Sequence, residues 1–488
     1  MQFKNKQVAT EVFFGVVMLF LLVGIGRKIV GISITNDEAY SFYLVKTNYI
    51  NALVGTANTH WVNSFFIKLE TLVLGNEVWM WRLHMLFFFV LYLLAARAIA
   101  VKYFDGLWTV VVFLFLVANP YLNDFFSIAR GYGPAVAFMS WAVYFFAANF
   151  QQYNKRTFLY ACVCAALAVL SNYTLLYFFL PAGLVVAVVI LRKQLHGFTI
   201  RENKMALVLV AGTFLFAAAN LLFIKYYTGD LETGGDTSLL YDTIGSLIKN
   251  TSYGYLNATP ATASWILFLV IIFLFSFAIA NYRTANKIGL FHFVTFTLVG
   301  ALMIGLIFHL LFQTPYNEGR TAVYLYPLFI LSIVAGIVLL VKKQQLLKNG
   351  VAVLLLICSI VAATFSIKSA YTEYCFEAKD QVGIDQVMLK LKNRYSTDTT
   401  IALPSWHFGV HANYYQLLEP DGYAFRTLKY EYPNTGTHTD SVINIMKQCN
   451  VVVLYPASDT AVLQKAGFRF SSFALLKKGD VVLLKPEE

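Results

Sequence analysis

The feature that most constrains this chain is a series of apolar runs, each long enough, or nearly so, to cross a bilayer. With a hydrocarbon core about 30 Å thick, a spanning helix needs roughly 20 mostly apolar residues. Eleven segments answer to that description: 12–30, 79–100, 107–122, 132–150, 158–171, 175–191, 205–224, 264–280, 290–312, 322–341 and 351–367. The fifth is short, so the count is eleven spans, or ten with one re-entrant hairpin. Composition agrees, with 58% hydrophobic and only 13% charged residues, against about 25% charged in soluble proteins. The first run is read as a retained helix, because "GRKIVGIS" offers no small-x-small cleavage site.

Charge predicts the orientation. With the amino terminus inside, and each helix-embedded charge assigned to its nearer end, the inner side before residue 369 holds 15 Lys and Arg against three acids, Glu11, Asp105 and Glu202. The outer side holds 10 of each sign. An excess of Lys and Arg marks the cytoplasmic face, which places the carboxyl terminus outside. The net charge of +11 has the same origin: residues 369–488 carry 12 basic and 13 acidic residues, so the first 368 residues carry +12. Basic residues at cytoplasmic helix ends argue against a nucleic-acid surface, which needs them clustered on one face.

Two parts follow. Residues 1–368 form a helical membrane domain without a detectable internal repeat. Residues 369–488 form a small extracytoplasmic α/β domain, because helical and strand patterns alternate there. In "DQVGIDQVMLKLKNRY", Ile384, Val387, Met388 and Leu391 share one helical face. "TTIALP" and "NVVVLYP" read as strands, "HANYYQLL" and "SDTAVLQKAGF" as helices, and "FALLKKGDVVLL" as a closing hairpin. Cys375 and Cys449 both fall in this outer part and are candidates for a disulfide in an oxidising compartment. His407 and His411 have the i, i+4 spacing of a metal pair, but Gly409 lies between them and no third ligand is evident.

The first outer loop, roughly 31–78, is long. Its "SFYLVKTNYINALV" and "NSFFIKLETLVLG" predict short helices lying on the membrane surface. The loop 225–263, with "TGDLETGGDTS", is either a lid or a plain solvated connection.

The same first loop carries the chemistry. Asp37 and Glu38 in "TNDEAYSF" are followed about 22 residues later by His60 in "ANTHWVNSFF". A carboxylate at a water–lipid boundary can act as a general base towards a hydroxyl. The alternative is that the acids sit in the first turn of an interfacial helix capped by Thr35 or Asn36. Three arginines lie at the same outer mouth: Arg82 inside the second run, Arg130 before the fourth, and Arg320, beside Glu318, before the tenth. Arginine at the edge of hydrocarbon is expensive and finds an anion or a cavity, and its planar fork suits phosphate. Taken singly, each is better explained by snorkelling or a salt bridge; it is their gathering beside the acid pair that points to function.

The ordered set "DEAYS", "NTHWVNSFFIKL", "VWMWRLHMLFFF", "SIARGYG" and "GRTAVYLYPLF" resembles the GT-C superfamily of integral-membrane glycosyltransferases. The branch is that of protein O-mannosyltransferases and lipid A aminoarabinose transferases. The match covers the first 140 residues, with a weaker echo near 313–330. Trp61 and Val62 replace the prolines that follow the family's histidine, and His84 replaces a third. Ile128 and Ala129 precede Arg130 where many members carry an acid, so a divalent metal is not indicated.

The resemblance implies a polytopic α-helical enzyme of a bacterial cytoplasmic membrane, with a periplasmic carboxyl-terminal domain. It implies a hexose or pentose donated by a polyprenyl phosphate to a glycan, lipid or protein acceptor. In that reading Asp37 is the general base and Glu38 orients the acceptor or a neighbouring residue. Arg130, Arg320 and His60 stabilise the departing lipid phosphate, with Tyr132, Arg82 and Glu318 as further substrate contacts. A lipid-linked donor needs no nucleotide-sugar pocket, and no P-loop or dinucleotide fingerprint is present. A transporter or flippase of a lipid-linked or anionic substrate is the alternative. Transporters show repeated halves and charges at the midplane, whereas these charges lie at the outer ends. A receptor or assembly protein built around the outer domain would have little need of the charges at the mouth.

Overall fold

The computed structural model describes residues 2–56, 58, 60–228, 234–255, 260–285, 288–379, 381–395, 399–403, 406–421, 423, 425–429, 448–454, 468–476 and 479–486. The chain opens with α1 (Gln2–Gly31) and then forms the first loop from α2 (Asn36–Thr47), α3 (Tyr49–Val54) and α4 (Trp61–Val73). The bundle continues through α5 (Leu83–Tyr103), α6 (Leu107–Val117), α7 (Pro120–Asp124), α8 (Tyr132–Gln151), α9 (Lys155–Ser171), α10 (Leu176–Leu191) and α11 (Lys204–Phe223). After the short α12 (Ser246–Thr251) come α13 (Pro260–Ala285), α14 (Leu290–Phe312), α15 (Leu325–Val341) and α16 (Gln345–Ala370).

Each of the eleven apolar segments is therefore helical. Among the described residues, eight of these helices are long and apolar enough to cross a membrane; α6, α9 and α15 are shorter. The third segment is broken because Pro120, lacking an N–H, takes the first position of α7, while the Asn119 side chain accepts from Leu122 N and caps it. That break turns the chain into the Phe125–Arg130 stretch at the mouth of the bundle.

α8 is apolar on all sides and is the most deeply buried of the long helices, as the pattern requires. Its small residues let neighbours approach: a Cβ on Gly133 would lie 2.5 Å from the Phe125 carbonyl oxygen. This packing fixes the segment that carries Arg130.

Beyond α16 the chain forms α17 (Ile384–Arg394), β1 (Thr400–Leu403), α18 (Trp406–Leu418), β2 (Arg426–Lys429), β3 (Val451–Leu454), β4 (Phe468–Leu476) and β5 (Gly479–Pro486). The sheet order is β2-β1-β3-β5-β4, with β1 parallel to both β2 and β3 and the last hairpin antiparallel. Ile384, Val387, Met388 and Leu391 form the buried face of α17, as their spacing predicts. α18 begins earlier than its apolar pattern suggests, because Gly409 does not interrupt it. β2 is not visible in the sequence pattern, and the predicted helix "SDTAVLQKAGF" lies outside the described residues.

α18 is seated on the first loop. Tyr414 packs edge-on against Phe42, whose ring also meets Trp81, with centroids 5.1 and 5.3 Å apart. His411 Nε2 donates to the Ile34 carbonyl at 3.1 Å, so this histidine serves as a bridge between parts of the chain; the side chain of His407 lies outside the described residues. Cys375 and Cys449 are not joined by a disulfide.

Candidate active site

The start of α2 separates the two adjacent acids. Thr35 is the N-cap in an extended conformation, and Glu38 closes a capping box by accepting from Thr35 N at 3.1 Å. Consecutive residues of a helix point about 100° apart, so Glu38 faces the protein interior and Asp37 faces a cavity. The capping alternative thus holds for Thr35 and Glu38.

Glu38 is completely buried. Its oxygens accept from Arg82 Nε and Nη2, both at 2.7 Å, from Ala129 N at 2.7 Å, and from Thr35 N and Oγ1. Arg82, also fully buried, gives its remaining hydrogens to the carbonyls of Ile29, Ile32 and Ser33. A guanidinium has five N–H donors, and all five are used. Both side chains thus spend their hydrogen-bonding atoms within the protein. Glu38 orients neighbouring residues, one of the two roles expected for it. Arg82, expected as a further substrate contact, is engaged by Glu38 and backbone carbonyls instead. Their pairing braces the backbone before Arg130. Burial opposes the charge on Glu38, but Arg82 and the N–H donors outweigh it and hold the carboxyl below its usual range.

Asp37 has a different surrounding. Its Oδ2 is bonded to Arg320 Nη1 and lies 3.3 Å from Arg130 Nη2, and its Oδ1 is 3.5 Å from Asn58 Nδ2. Asn58 Oδ1 accepts from Arg130 Nη2 at 2.8 Å, so one amide orients both charges. Residues 37, 130 and 320, far apart in sequence, meet at one point. Burial would raise the Asp37 carboxyl, but Arg130 and Arg320, helped by Asn58, hold it below the ordinary value. One further atom matters: Arg130 Nη1 is buried and has no partner among the described residues.

His60 closes the inner side. Its Nδ1 lies 3.1 Å from the Ser171 carbonyl and its ring is edge-on to Tyr132, with centroids 5.5 Å apart. Gly131 permits this approach, since a Cβ there would stand 1.9 Å from Ser171 O and 2.6 Å from His60 Nδ1. The Arg130 guanidinium lies over the same Tyr132 ring. Burial and the Arg130 charge push His60 well below its usual value, so the ring is neutral.

Two cavities adjoin here. The smaller, about 30 Å³, is lined by Asp37, Arg130, Tyr132, Arg320, Glu377 and Gln381 among others; it has room for about one water-sized group. The larger, about 430 Å³, is lined by Gly234, Asn250, Glu318, Arg320, Phe376 and Glu377 among others. Glu318 therefore stands beside the second cavity, at one remove from Asp37. Arg320 and Glu377 form the wall shared by both.

Glu377 and Gln381 are carried by the segment that follows α16. Tyr121 donates to Glu377 Oε2 at 2.6 Å, and Gln381 Oε1 accepts from Asn36 N at 2.8 Å. The segment is pinned by Asp124, which is ion-paired with Lys28 and accepts from Tyr253 OH and Phe376 N at 2.8 and 2.7 Å. Asn58, Glu377, Gln381 and Asp124 were not singled out by sequence. For Asn58 the signal was its place two residues before His60; for the others no local pattern exists. Among the described residues, no group of three or more His, Cys, Asp or Glu could hold a metal ion.

No family model matches this chain, and no curated protein matches it by sequence. Solved structures do match. ArnT from Cupriavidus metallidurans aligns over 98% of both chains with 11% identity, with a TM-score of 0.56 in the apo state and 0.55 bound to undecaprenyl phosphate. The Archaeoglobus fulgidus oligosaccharyltransferase tethered with an acceptor peptide aligns over 97% of this chain and 74% of its own, with 12% identity and a TM-score of 0.52. AglB from the same organism, in complex with an inhibitory peptide and a dolichol-phosphate, gives 0.50 at 11% identity, over 98% and 77%. At such identities the likeness is one of fold: this chain shares the overall architecture of ArnT and of the archaeal oligosaccharyltransferase.

Proposed function

We propose that this chain, built on that architecture, transfers a sugar from a polyprenyl-phosphate donor to an acceptor hydroxyl on the outer face of the membrane. The observation that carries the reading is the junction of Asp37, Arg130 and Arg320 beside a cavity. Two guanidinium groups flanking one carboxylate supply both a phosphate site and a base.

In the resting site the two arginines share Asp37 as a counter-charge, which leaves the cluster with one positive charge in excess. A donor phosphate brought to them competes for the same N–H groups and draws them off the carboxylate. Asp37 then loses the charges that depress it and regains its affinity for a proton. It takes the proton of the acceptor hydroxyl as that oxygen bonds to the anomeric carbon. The bond from that carbon to the phosphate oxygen breaks, with inversion. The lipid phosphate leaves with one more negative charge, stabilised by Arg130 and Arg320. The larger cavity has the volume of a ligand pocket and opens on Arg320 from the side of Glu318 and Glu377. We assign to it the approach of the sugar or acceptor.

Residues 369–488 would lie outside and position the acceptor, and the enzyme would reside in a bacterial cytoplasmic membrane. The direct test is to incubate purified protein with a panel of polyprenyl-phosphate sugars and follow release of the lipid phosphate. Release of lipid phosphate from at least one donor is expected. No release from any hexose or pentose donor, with or without glycan, lipid or protein acceptors, would refute the reading.

A further inference from the structure

Among the described residues around Asp37, Arg130 Nη1 and His60 Nε2 are both buried without a partner, and they are opposite in kind. Arg130 Nη1 can only donate. His60 Nε2 can only accept, because a carbonyl oxygen has no hydrogen to give: the bond between His60 Nδ1 and Ser171 O places the ring hydrogen on Nδ1 and leaves the lone pair on Nε2. His60 and Arg130 are 3% and 2% exposed. Both pack on the ring of Tyr132, with centroid distances of 5.5 Å for the imidazole and 5.9 Å for the guanidinium carbon.

A ligand that satisfies both atoms must accept from one and donate to the other. A phosphodiester oxygen accepts only and would face the His60 lone pair with its own. A hydroxyl does both. The cavity lined by Arg130 and by Tyr132, on whose ring His60 packs, is also of hydroxyl size, at about 30 Å³. We propose that His60 Nε2 and Arg130 Nη1 form a subsite for one hydroxyl of the transferred sugar, accepted from by the imidazole and donated to by the guanidinium. His60 thereby reads the sugar, while Arg320 and the other edge of Arg130 hold the phosphate. The neutral state of the imidazole, enforced by burial and by Arg130, agrees with an accepting role. This rests on the glycosyltransferase reading and replaces the phosphate contact expected for His60 from the sequence.

The test compares two lipids on full-length protein in nanodiscs: undecaprenyl phosphate, and undecaprenyl phosphate carrying mannose, glucose or galactose. Two His60 variants separate structure from recognition. In His60→Asn the side-chain amide can take the place of Nδ1 and keep the bond to Ser171, but the acceptor at Nε2 is lost. In His60→Gln the amide oxygen reaches the Nε2 position. The wild type should bind at least one glycosylated lipid more tightly than the bare one. His60→Asn should lose about tenfold on that lipid, the value of one buried hydrogen bond, with undecaprenyl phosphate unaffected; His60→Gln should retain most of the preference. An equal loss on both lipids would make His60 a phosphate contact and overturn the proposal. No change on either lipid would leave only a water in the subsite and overturn it as well, as would a wild type that binds no glycosylated lipid better than the bare one. Arg320→Ala tests the underlying reading separately. If it binds undecaprenyl phosphate as tightly as the wild type, the phosphate site itself is wrong and the sugar subsite falls with it.

Discussion

Five hydrogen bonds converge on Glu38, whereas Asp37 shares its charge with two arginines at the edge of a cavity. The two carboxylates therefore fail differently. Asp37→Asn keeps shape and removes the base, so transfer should fall about 100- to 10,000-fold while donor binding survives. Arg320→Ala should weaken donor binding as well as turnover, because it removes a charge-assisted contact to phosphate. Single-turnover rates and lipid binding on the same preparations separate the two. Glu38→Gln should act on stability: breaking a buried pair leaves Arg82 uncompensated, at a cost of about 3–5 kcal/mol. The sign with pH follows from the direction of the shift. A carboxyl held lower in the fold than in the unfolded chain stabilises the fold above its ordinary value, and that contribution is lost as pH falls through the depressed one. Wild-type melting temperature should drop below the usual carboxylate range, and Glu38→Gln should start lower at neutral pH and show a flatter acid limb.

At the level of elements, the contact that matters most lies where α1, α7, the turn at Tyr253 and the segment after α16 meet on Asp124. Asp124→Asn would leave Lys28 buried without a counter-charge and weaken the bond to Phe376 N. The expected result is a loss of about 3–5 kcal/mol and faster hydrogen exchange at Phe376 and its neighbours, read by mass spectrometry. Removing the charge at both ends, with Lys28→Met and Asp124→Leu, should cost less than Asp124→Asn alone. Helices of this kind were legible in the sequence because length and hydropathy suffice to mark them. The charged members of the site, Asp37, Arg130 and Arg320, were legible because a charge at the hydrocarbon edge needs a reason. Arg82 answered the same rule for a different reason, since pairing with Glu38 satisfies it completely. Asn58 carries no charge to betray it. Glu377 and Gln381 reach the site only through folding, Gln381 bonding to a residue 345 positions away. Strand β2 escaped because "RTLK" offers four residues with little alternation.

For the whole molecule, Asp37, Arg130, Arg320 and Glu377 gather at one site, and the orientation we propose, from the excess of Lys and Arg, puts that site on the outer face. In a cysteine-free background, Glu77→Cys and Asp421→Cys, both exposed positions, should react with an impermeant thiol reagent in intact cells. Gln345→Cys, also exposed, should be protected until the cells are opened; the reverse pattern would invert the topology. The start of α2 has a consequence at this scale too. Exchanging the two letters, Asp37→Glu together with Glu38→Asp, leaves length, mass, net charge and hydropathy of the protein identical. It nevertheless hands a shorter arm to the residue that must reach Arg82 and a longer one to the residue wedged between Arg130 and Arg320. Such a protein would be an anagram of the original, indistinguishable by any bulk measure, and it should neither fold as firmly nor turn over.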